Sequence, residues 1–292
     1  MRLVTHDSKR GARAGALTPV GVVDAWDALG RPDGEPEGSS PNGTSPTGVR
    51  ALLAADLLGE LADAVEAADA GIADATLLAP VPDPEKLICI GLNYADHAAE
   101  AGIEPPSAPT FFAKFANALV PHDSTVSLPA SSQKVDYEAE IAFVVGRTAK
   151  HVPVASALDH VAGYALLNDL SARDLQMATP QWMPGKIFDG SAPCGPALVT
   201  ADEVGDPTAI PIALDLNGER MQGSSSAQLI FGVAELLAHL STLTTLLPGD
   251  IVSTGTPAGV GSSRQPHVWL QDGDVTVVSS PALGELRTSF AR

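Results

Sequence analysis

The sequence has few aromatic residues, two cysteines and about half as many basic residues as acidic ones. With 4% aromatic content, the 292-residue chain must build its core mainly from Ala, Val, Leu and Ile. This length suits one large domain or a main domain with a smaller partner. Cys89 and Cys194 stand in apolar or Gly/Pro-rich settings without a CxxC spacing, so we expect buried thiols rather than a disulfide or metal ligands.

The shortage of basic residues excludes two classes of partner. Seventeen Lys and Arg against 35 Asp and Glu give a formal net charge of −18, which repels phosphate backbones and anionic membranes. We therefore expect no nucleic acid and no membrane partner; simple solubility accounts for the charge. No segment resembles a signal peptide or approaches the run of about eighteen apolar residues that spans a bilayer, so we expect a cytoplasmic protein.

Residues 1–80 predict a small N-terminal α+β domain. Strand-like runs cover residues 1–6 and 19–29, and a flexible loop rich in Gly, Pro, Ser and Thr is expected over 30–48. One long helix is predicted over 49–71, because leucines recur there at helical spacing and Gly71 is placed to end it.

Residues 81–292 predict a second, β-rich domain. Short strand-like runs such as LICIGL, TFFAKF and DVTVVSS alternate with turn residues. One helix is expected over 226–242, with Ser225 or Ser226 as its N-cap. The fold class that follows is α+β with a predominance of strands.

Three carboxylates alternate at the start of the run KVDYEAEIAFVVG, residues 134–146. Asp136, Glu138 and Glu140 share one face of an extended strand, and a solvated face is the simplest interpretation. The run then becomes apolar on both faces, so it should lead into the interior. Crowded buried carboxylates raise one another's pKa unless a cation keeps them ionised. This favours a divalent metal held by Glu138 and Glu140.

The segment GYALLNDLSARDLQ offers a third metal ligand, Asp169 or Asp174. Asp169 follows an apolar strand and is favoured, whereas a capping role competes at Asp174. Ligation by oxygen alone indicates Mg²⁺ or Mn²⁺. Asp136, at the entrance of the strand, is expected to face solvent or to hold a neighbouring base.

Five segments resemble the fumarylacetoacetate hydrolase family, in the order LICIGLNYADHAAEAG, DYEAEIAFVVG, GYALLNDLSARDLQ, GKIFDGSAPCGP and GDIVSTGTPAGVG. The resemblance covers residues 85–292. It implies a mixed β-sandwich or roll as the catalytic core, a homodimer, and Mg²⁺ or Mn²⁺ held by Glu138, Glu140 and Asp169.

His97 and Glu100 stand three residues apart in NYADHAAE, so they share a face of a helical turn. A solvated pair is the simplest interpretation. The resemblance implies instead a catalytic pair on a short lid, in which the carboxylate orients the imidazole.

Lys186 in PGKIFDG could be a solvated surface charge, but the resemblance implies a catalytic or substrate-binding lysine. It also implies that Gln176 and Thr256 contact substrate, although turn or capping roles compete. Arg173 is expected to contact substrate or to brace Asp169 or Glu140.

Two features are expected to shape the pocket. Trp182 either packs on a distal apolar or aromatic group of the substrate or is buried in the core. The run TGTPAGVG lacks the lysine of a phosphate-binding loop, so we interpret it as a tight turn in which Gly255 and Gly259 allow close backbone approach.

The leading hypothesis is a divalent-metal-dependent hydrolase that cleaves a carbon–carbon bond in a 2,4-dioxo acid. Oxaloacetate decarboxylation or tautomerisation, isomerisation of a 2-hydroxy-diene dioate and hydration of a 2-oxo-pentenoate are alternatives, because each uses the same enolate. A catalytically silent metal-binding scaffold is the alternative outside enzymes.

Overall fold

The structure is a computed structural model that describes residues 1–34 and 45–292. The flexible loop predicted over 30–48 falls largely on residues 35–44, which lie outside the described residues. Within the described ranges the chain forms eighteen strands and seven α-helices.

The strands, in chain order, are β1 Arg2–His6, β2 Arg13–Thr18, β3 Gly21–Asp24, β4 Leu77–Leu78, β5 Leu87–Gly91, β6 Thr110–Lys114, β7 Leu119–Val120, β8 Ser124–Ser127, β9 Val135–Asp136, β10 Ala139–Val145, β11 Val161–Asn168, β12 Ser171–Ala172, β13 Ala192–Thr200, β14 Pro211–Leu216, β15 Glu219–Ser225, β16 Ile251–Ser253, β17 Val275–Ser280 and β18 Gly284–Ala291. The α-helices are α1 Ala25–Ala28, α2 Val49–Ala54, α3 Leu58–Glu66, α4 Ala95–Ala101, α5 Arg173–Gln176, α6 Ala201–Val204 and α7 Val233–Leu243.

Two sheets dominate the described part of the chain. The larger has eleven strands with the path β3-β2-β1-β13-β11-β10-β16-β5-β6, and β4 and β7 pair with β1 and β13. The smaller has five strands in the order β15-β14-β17-β18-β8, and β9 pairs with β12 separately. The predicted α+β, β-rich fold is confirmed.

The larger sheet is buried on both of its faces around β10. Ile141, Phe143 and Val145 join the core that includes the inner residues of the smaller sheet. Ala142 and Val144 point to the opposite core, which is formed with α2 and α3. Every residue of β10 is buried, as the apolar run after Glu140 predicted.

The N-terminal segment extends the larger sheet. β1 pairs antiparallel with β13, with Leu3 opposite Leu198, and β2 and β3 continue outward from it. The two parts of the predicted division at residue 80 therefore share one sheet, and the division itself stays a prediction. Cys89 and Cys194 are buried free thiols, as expected. No helix among the described residues has the length and apolar character that a membrane crossing requires.

The single helix predicted over 49–71 is wrong. α2 ends at Ala54 and α3 begins at Leu58, because Asp56 adopts a left-handed conformation with φ of 55°. This break lets Leu53, Leu57 and Leu61 all reach the core.

Two other boundaries also differ from the prediction. α7 begins at Val233, and the Glu235 carboxylate accepts a hydrogen bond from the backbone N–H of Gly232, whereas Ser225 caps only a 3₁₀ turn. The run over 19–29 leaves the sheet at Asp24, whose side chain caps α1 by accepting from the Asp27 N–H.

Asp24 also pairs with a buried arginine. Arg13, whose side chain is 1% exposed, directs Nε and Nη2 to the Asp24 carboxylate, and His6 Nε2 lies 3.1 Å from it. Burial alone raises the pKa of Asp24, but the hydrogen bonds from Arg13 and His6 outweigh it and hold that pKa well below its usual range.

We expect Asp24→Asn to lower the free energy of unfolding by about 3 kcal/mol at pH 7, because it leaves the buried Arg13 charge without its main partner. Asp27→Asn is the matched control: Asp27 also contacts Arg13, but its side chain is 46% exposed, so a loss of at most about 1 kcal/mol is expected. Urea unfolding measures both. Because the native pKa of Asp24 is depressed, its contribution is full above about pH 4 and shrinks as the pH falls below it. Equal losses for the two variants at pH 7 would contradict the assignment.

Candidate active site

A cavity of about 400 Å³ opens beside the ends of β5, β10 and β11. Nine of the ten predicted site residues line it, and Glu100 lies directly behind His97. The nine are His97, Glu138, Glu140, Asp169, Arg173, Gln176, Trp182, Lys186 and Thr256. A larger cavity of about 530 Å³ lies elsewhere, between α2, α3 and the core strands, but none of the predicted site residues lines it. The smaller cavity is therefore the candidate site.

Three carboxylates converge at the base of this cavity. Glu138, Glu140 and Asp169 are buried, and each offers an oxygen within 4.8 Å of the other two. Glu138 falls in a break between β9 and β10, where its N–H donates to the Asn168 side chain and its carbonyl accepts from the N–H of Asp169. The break thus ties the glutamate strand to the aspartate turn.

Two cations neutralise Glu138. Lys186 Nζ lies 2.7 Å from Glu138 Oε2 and 2.8 Å from Asp169 Oδ2, and Arg173 Nη2 lies 2.7 Å from Glu138 Oε1. Burial raises the pKa of Glu138, but Lys186 and Arg173 outweigh it and lower that pKa to about 2. Glu138 is therefore ionised at neutral pH. Lys186 is itself buried at 2% exposure, so a solvated surface charge is excluded.

Asp169 has a second cationic neighbour that sequence reasoning missed. Lys114, buried on β6, places Nζ 2.8 Å from Asp169 Oδ1 and donates to the carbonyls of Leu170 and Ser191. Period-two alternation in TFFAKF could have revealed it, since Lys114 shares the buried face of Phe112.

Glu140 sits in the least compensated position of the three. Its Oε2 accepts from the Ser253 hydroxyl and from the N–H of Gly255, at 3.0 Å for the latter. Burial, Asp169 and Glu138 together raise the pKa of Glu140 well above its usual value. A cation between the three groups would reverse this shift by favouring the ionised form.

The residues fit a hard divalent metal. All the donors are carboxylate oxygens, and the buried Asp169 Oδ1 makes only an ion-pair contact with Lys114 rather than a well-directed hydrogen bond. Such a set suits Mg²⁺ or Mn²⁺ more than Zn²⁺. Asp174 is not part of the cluster; it accepts from the Ser132 hydroxyl at 2.6 Å.

Asp136 does not face solvent, so that expectation is wrong. It is fully buried, accepts from the N–H groups of Gly261 and Ser262, and pairs with Arg173 at 2.8 Å. The alternative expectation, that Asp136 holds a neighbouring basic residue, is confirmed, and that residue is Arg173. Arg173 in turn braces Glu138, not Asp169 or Glu140 as the sequence suggested.

His97 and Glu100 lie on α4, which covers one side of the cavity. Nδ1 of His97 is 3.2 Å from Glu100 Oε2, and Glu100 Oε1 accepts from the Gly259 N–H at 3.0 Å. Asp96 accepts from the Ser224 hydroxyl at 2.6 Å. The helix is thereby tied to the turn after β16 and to β15, and Nε2 is the ring nitrogen left for a bound molecule.

The run TGTPAGVG, which follows β16, forms a tight turn, as predicted. Gly255 and Gly259 have φ of 97° and 103°, and a Cβ on Gly259 would lie 2.2 Å from the Met221 carbonyl oxygen. Between them, Thr256 donates to the Ala139 carbonyl and accepts from Gln222, so its hydroxyl is largely engaged within the protein. The side-chain oxygen of Gln176 accepts from Arg173, so the side-chain N–H groups of Gln176 are left for a ligand. Substrate contact by both residues stays a prediction.

Two aromatic rings form part of the cavity wall. Trp182 and Phe112 meet edge to face with ring centroids 6.0 Å apart, and Lys186 Nζ lies 4.9 Å from the centre of the Phe112 ring. Trp182 lines the cavity and is only partly buried, so the expectation of simple core burial does not apply.

The chain is similar to several characterised proteins. Residues 86–291 match the family described as "Fumarylacetoacetate (FAA) hydrolase C-terminal". "Oxaloacetate tautomerase FAHD2B, mitochondrial" of Bos taurus is 46% identical over 214 residues, which are 72% of this chain and 68% of that protein.

Two solved structures share the fold. Fumarylacetoacetate hydrolase from psychrophilic Exiguobacterium antarcticum superposes with a TM-score of 0.80 at 31% identity and covers all of both chains. Fumarylpyruvate hydrolase from Pseudomonas aeruginosa, in complex with Mn²⁺ and pyruvate, gives 0.66 at 37% identity and covers 71% of this chain and 90% of that one. The family match extends over more than half of the chain, and the chain belongs to the fumarylacetoacetate hydrolase family.

Proposed function

We propose that the protein is a divalent-metal-dependent hydrolase that cleaves the carbon–carbon bond between C3 and C4 of a 2,4-dioxo acid. The observation that carries this proposal is the shared cavity. A histidine oriented by a carboxylate lines the same 400 Å³ space as three convergent carboxylates, so a base and a cation site flank one bound molecule. A metal-binding scaffold would need the carboxylates but not the oriented histidine.

Glu138, Glu140 and Asp169 would hold the cation. When bound, Mg²⁺ or Mn²⁺ supplies Lewis acidity toward the carboxylate and 2-oxo oxygens of the substrate. Lys114 and Lys186 hold Asp169 in place, and Arg173 and Lys186 do the same for Glu138. The Mn²⁺ and pyruvate in the fumarylpyruvate hydrolase relative support this division of roles.

His97 would act as the general base. Its Nε2 takes a proton from water, whose oxygen bonds to C4, while Glu100 holds Nδ1 and stabilises the imidazolium. The C3–C4 bond then breaks and its electron pair passes into the enolate of the 2-oxo acid fragment. His97 returns its proton to C3, so the products are pyruvate and a carboxylic acid, which then loses its own proton to solvent. The Gln176 amide would donate to the developing oxyanion, and Lys186, which stays paired with Glu138 and Asp169, would stabilise that charge through space.

A second candidate is oxaloacetate tautomerisation, favoured by the tautomerase relative that is 46% identical. His97 would then move one proton between C3 and the 2-oxo oxygen without a water molecule.

Oxaloacetate decarboxylation, diene-dioate isomerisation and oxo-pentenoate hydration use the same enolate. Turnover of 2,4-dioxo acids and oxaloacetate, followed in ultraviolet light with Mg²⁺, Mn²⁺ or EDTA, separates hydrolysis from the two oxaloacetate reactions. The expected homodimer and cytoplasmic location stay predictions.

Removal of one triad carboxylate tests the cation site. We expect Glu140→Gln, which keeps an acceptor for Ser253, to weaken Mn²⁺ binding by about 100-fold or more, because it removes one of three anionic ligands. Asp174→Asn is the control, since Asp174 lies in the same region but outside the cluster. Calorimetric titration with Mn²⁺ measures both, and undiminished binding by Glu140→Gln would refute the site.

Removal of the imidazole tests the base. We expect His97→Ala to lower kcat for 2,4-dioxo acid hydrolysis by about 100- to 10,000-fold, the usual contribution of a general base, while Mn²⁺ affinity stays unchanged. His239→Ala, on α7 outside the cavity, should retain wild-type turnover. Full hydrolytic activity in His97→Ala would show that another group activates the water.

A further inference from the structure

We propose that the group beyond C4 of the substrate is apolar, and best aromatic, rather than a second carboxylate. This inference rests on the proposed function and specifies which 2,4-dioxo acids the site accepts. The substrate named for the tautomerase relative, oxaloacetate, ends in a carboxylate at C4 and carries no apolar group there.

The outer part of the cavity is apolar. Beyond the carboxylates its lining includes Ile103, Phe112, Met177 and Trp182. Met177 is 73% exposed and Ile103 is 52% exposed, although both are large apolar residues. Exposed apolar side chains gathered at the mouth of a cavity indicate a surface that a ligand covers.

The indole of Trp182 is held in a defined position. A Cβ on Gly91 would lie 2.3 Å from Cζ3 of the indole, so the ring packs directly against the backbone at the end of β5. Phe112 meets the same ring edge to face. Glycine at 91 therefore makes room for an aromatic wall against which a planar substituent can stack.

No cation is left for a second carboxylate. Among the described residues that line the cavity, Arg173 and Lys186 carry the permanent positive charges. Arg173 uses Nε and Nη2 on Asp136 and Glu138 and Nη1 on Gln176. Lys186 bridges Glu138 and Asp169 and contacts the Phe112 ring.

The count of buried charges leads to the same conclusion. The four carboxylates Asp136, Glu138, Glu140 and Asp169 face the three cations Lys114, Arg173 and Lys186. A divalent cation leaves one net positive charge, which a single substrate carboxylate neutralises. A second carboxylate would lie against the apolar wall without an opposite charge beside it, and it would lose its hydration.

Two matched ligands test the proposal by binding alone. 2-Oxo-4-phenylbutanoate and 2-oxoglutarate share the 2-oxo acid and the two-carbon spacer and differ only in a phenyl or carboxylate end. Neither carries a 4-oxo group, so neither is cleaved. We expect calorimetry with the Mn²⁺-loaded protein to give a Kd at least about 10-fold lower for the phenyl compound, in keeping with the burial of one aromatic ring.

The possible outcomes separate the two proposals. Equal or tighter binding of 2-oxoglutarate would overturn the apolar preference while leaving 2-oxo acid binding intact. Binding of neither compound to the Mn²⁺-loaded protein would overturn both.

Variants locate the preference within the cavity. The preference is measured as the Kd of 2-oxoglutarate divided by the Kd of 2-oxo-4-phenylbutanoate. We expect Trp182→Ala to reduce this ratio by about 10-fold, and Gly91→Ala to reduce it by displacing the indole without removing it. Met177→Arg should tighten 2-oxoglutarate binding by placing a cation at the rim. Trp269→Ala is the control, because Trp269 packs on His267 outside the cavity and should leave the ratio unchanged. A ratio that Trp182→Ala and Gly91→Ala both leave unchanged would contradict the assigned wall.

Discussion

The burial of like charges is the constraint on which the site depends. Glu138, Glu140 and Asp169 converge within 4.8 Å in the protein interior, where each ionised carboxylate loses several kcal/mol of hydration. Two of the three receive cationic partners, Lys114 and Lys186 on Asp169 and Lys186 and Arg173 on Glu138. Among the described residues no cation lies in hydrogen-bond contact with Glu140, which accepts instead from Ser253 and Gly255. The arrangement compensates the charges only in part, and a divalent cation between the three groups would complete it.

This arrangement depends on the break between β9 and β10. Between β9 and β10 the backbone leaves the ladder at Glu138, and side chains of Asn168 and Gln222 receive the N–H groups of Glu138 and Ala139. Because these N–H groups bond to side chains, the strand can turn its carboxylates toward Asp169 without an unpaired backbone donor. The buried remainder of β10, packed on both faces, fixes the position of the break.

The helix α4 places the proposed base beside these carboxylates. Its histidine is tied to Glu100, and Glu100 is tied in turn to the Gly259 N–H of the glycine turn. One carboxylate thereby orients the imidazole and docks the helix. The same turn supplies the Gly255 N–H to Glu140, so the proposed base and the proposed cation site are joined through one loop.

The sequence predicted the triad because carboxylate alternation before an all-apolar strand is a strong physical conflict, and the strand Val161–Asn168 delivered Asp169 to the same place. It did not predict Lys114, because alternation in TFFAKF can mark residue 114 as buried but cannot show which groups it meets, and the packing of this edge strand decides that. The left-handed turn at Asp56 was also missed, because the leucine periodicity continues across it. The sequence pattern does not indicate β15 and β18, because ERMQGSS and GELRTSFA are too polar to stand out before their partners are known. The pairing of Arg173 with Asp136 likewise follows from the fold, since 37 residues separate them.

We propose that the buried carboxylates form a cation site at which a 2-oxo acid binds. A crystal structure grown with Mn²⁺ and oxalate, with anomalous data collected at the manganese edge, tests it directly. We expect one anomalous peak within about 2.2 Å of oxygens from Glu138, Glu140 and Asp169, with oxalate between this peak and the residues His97 and Trp182. A peak elsewhere, or oxalate bound away from the three carboxylates, would contradict it.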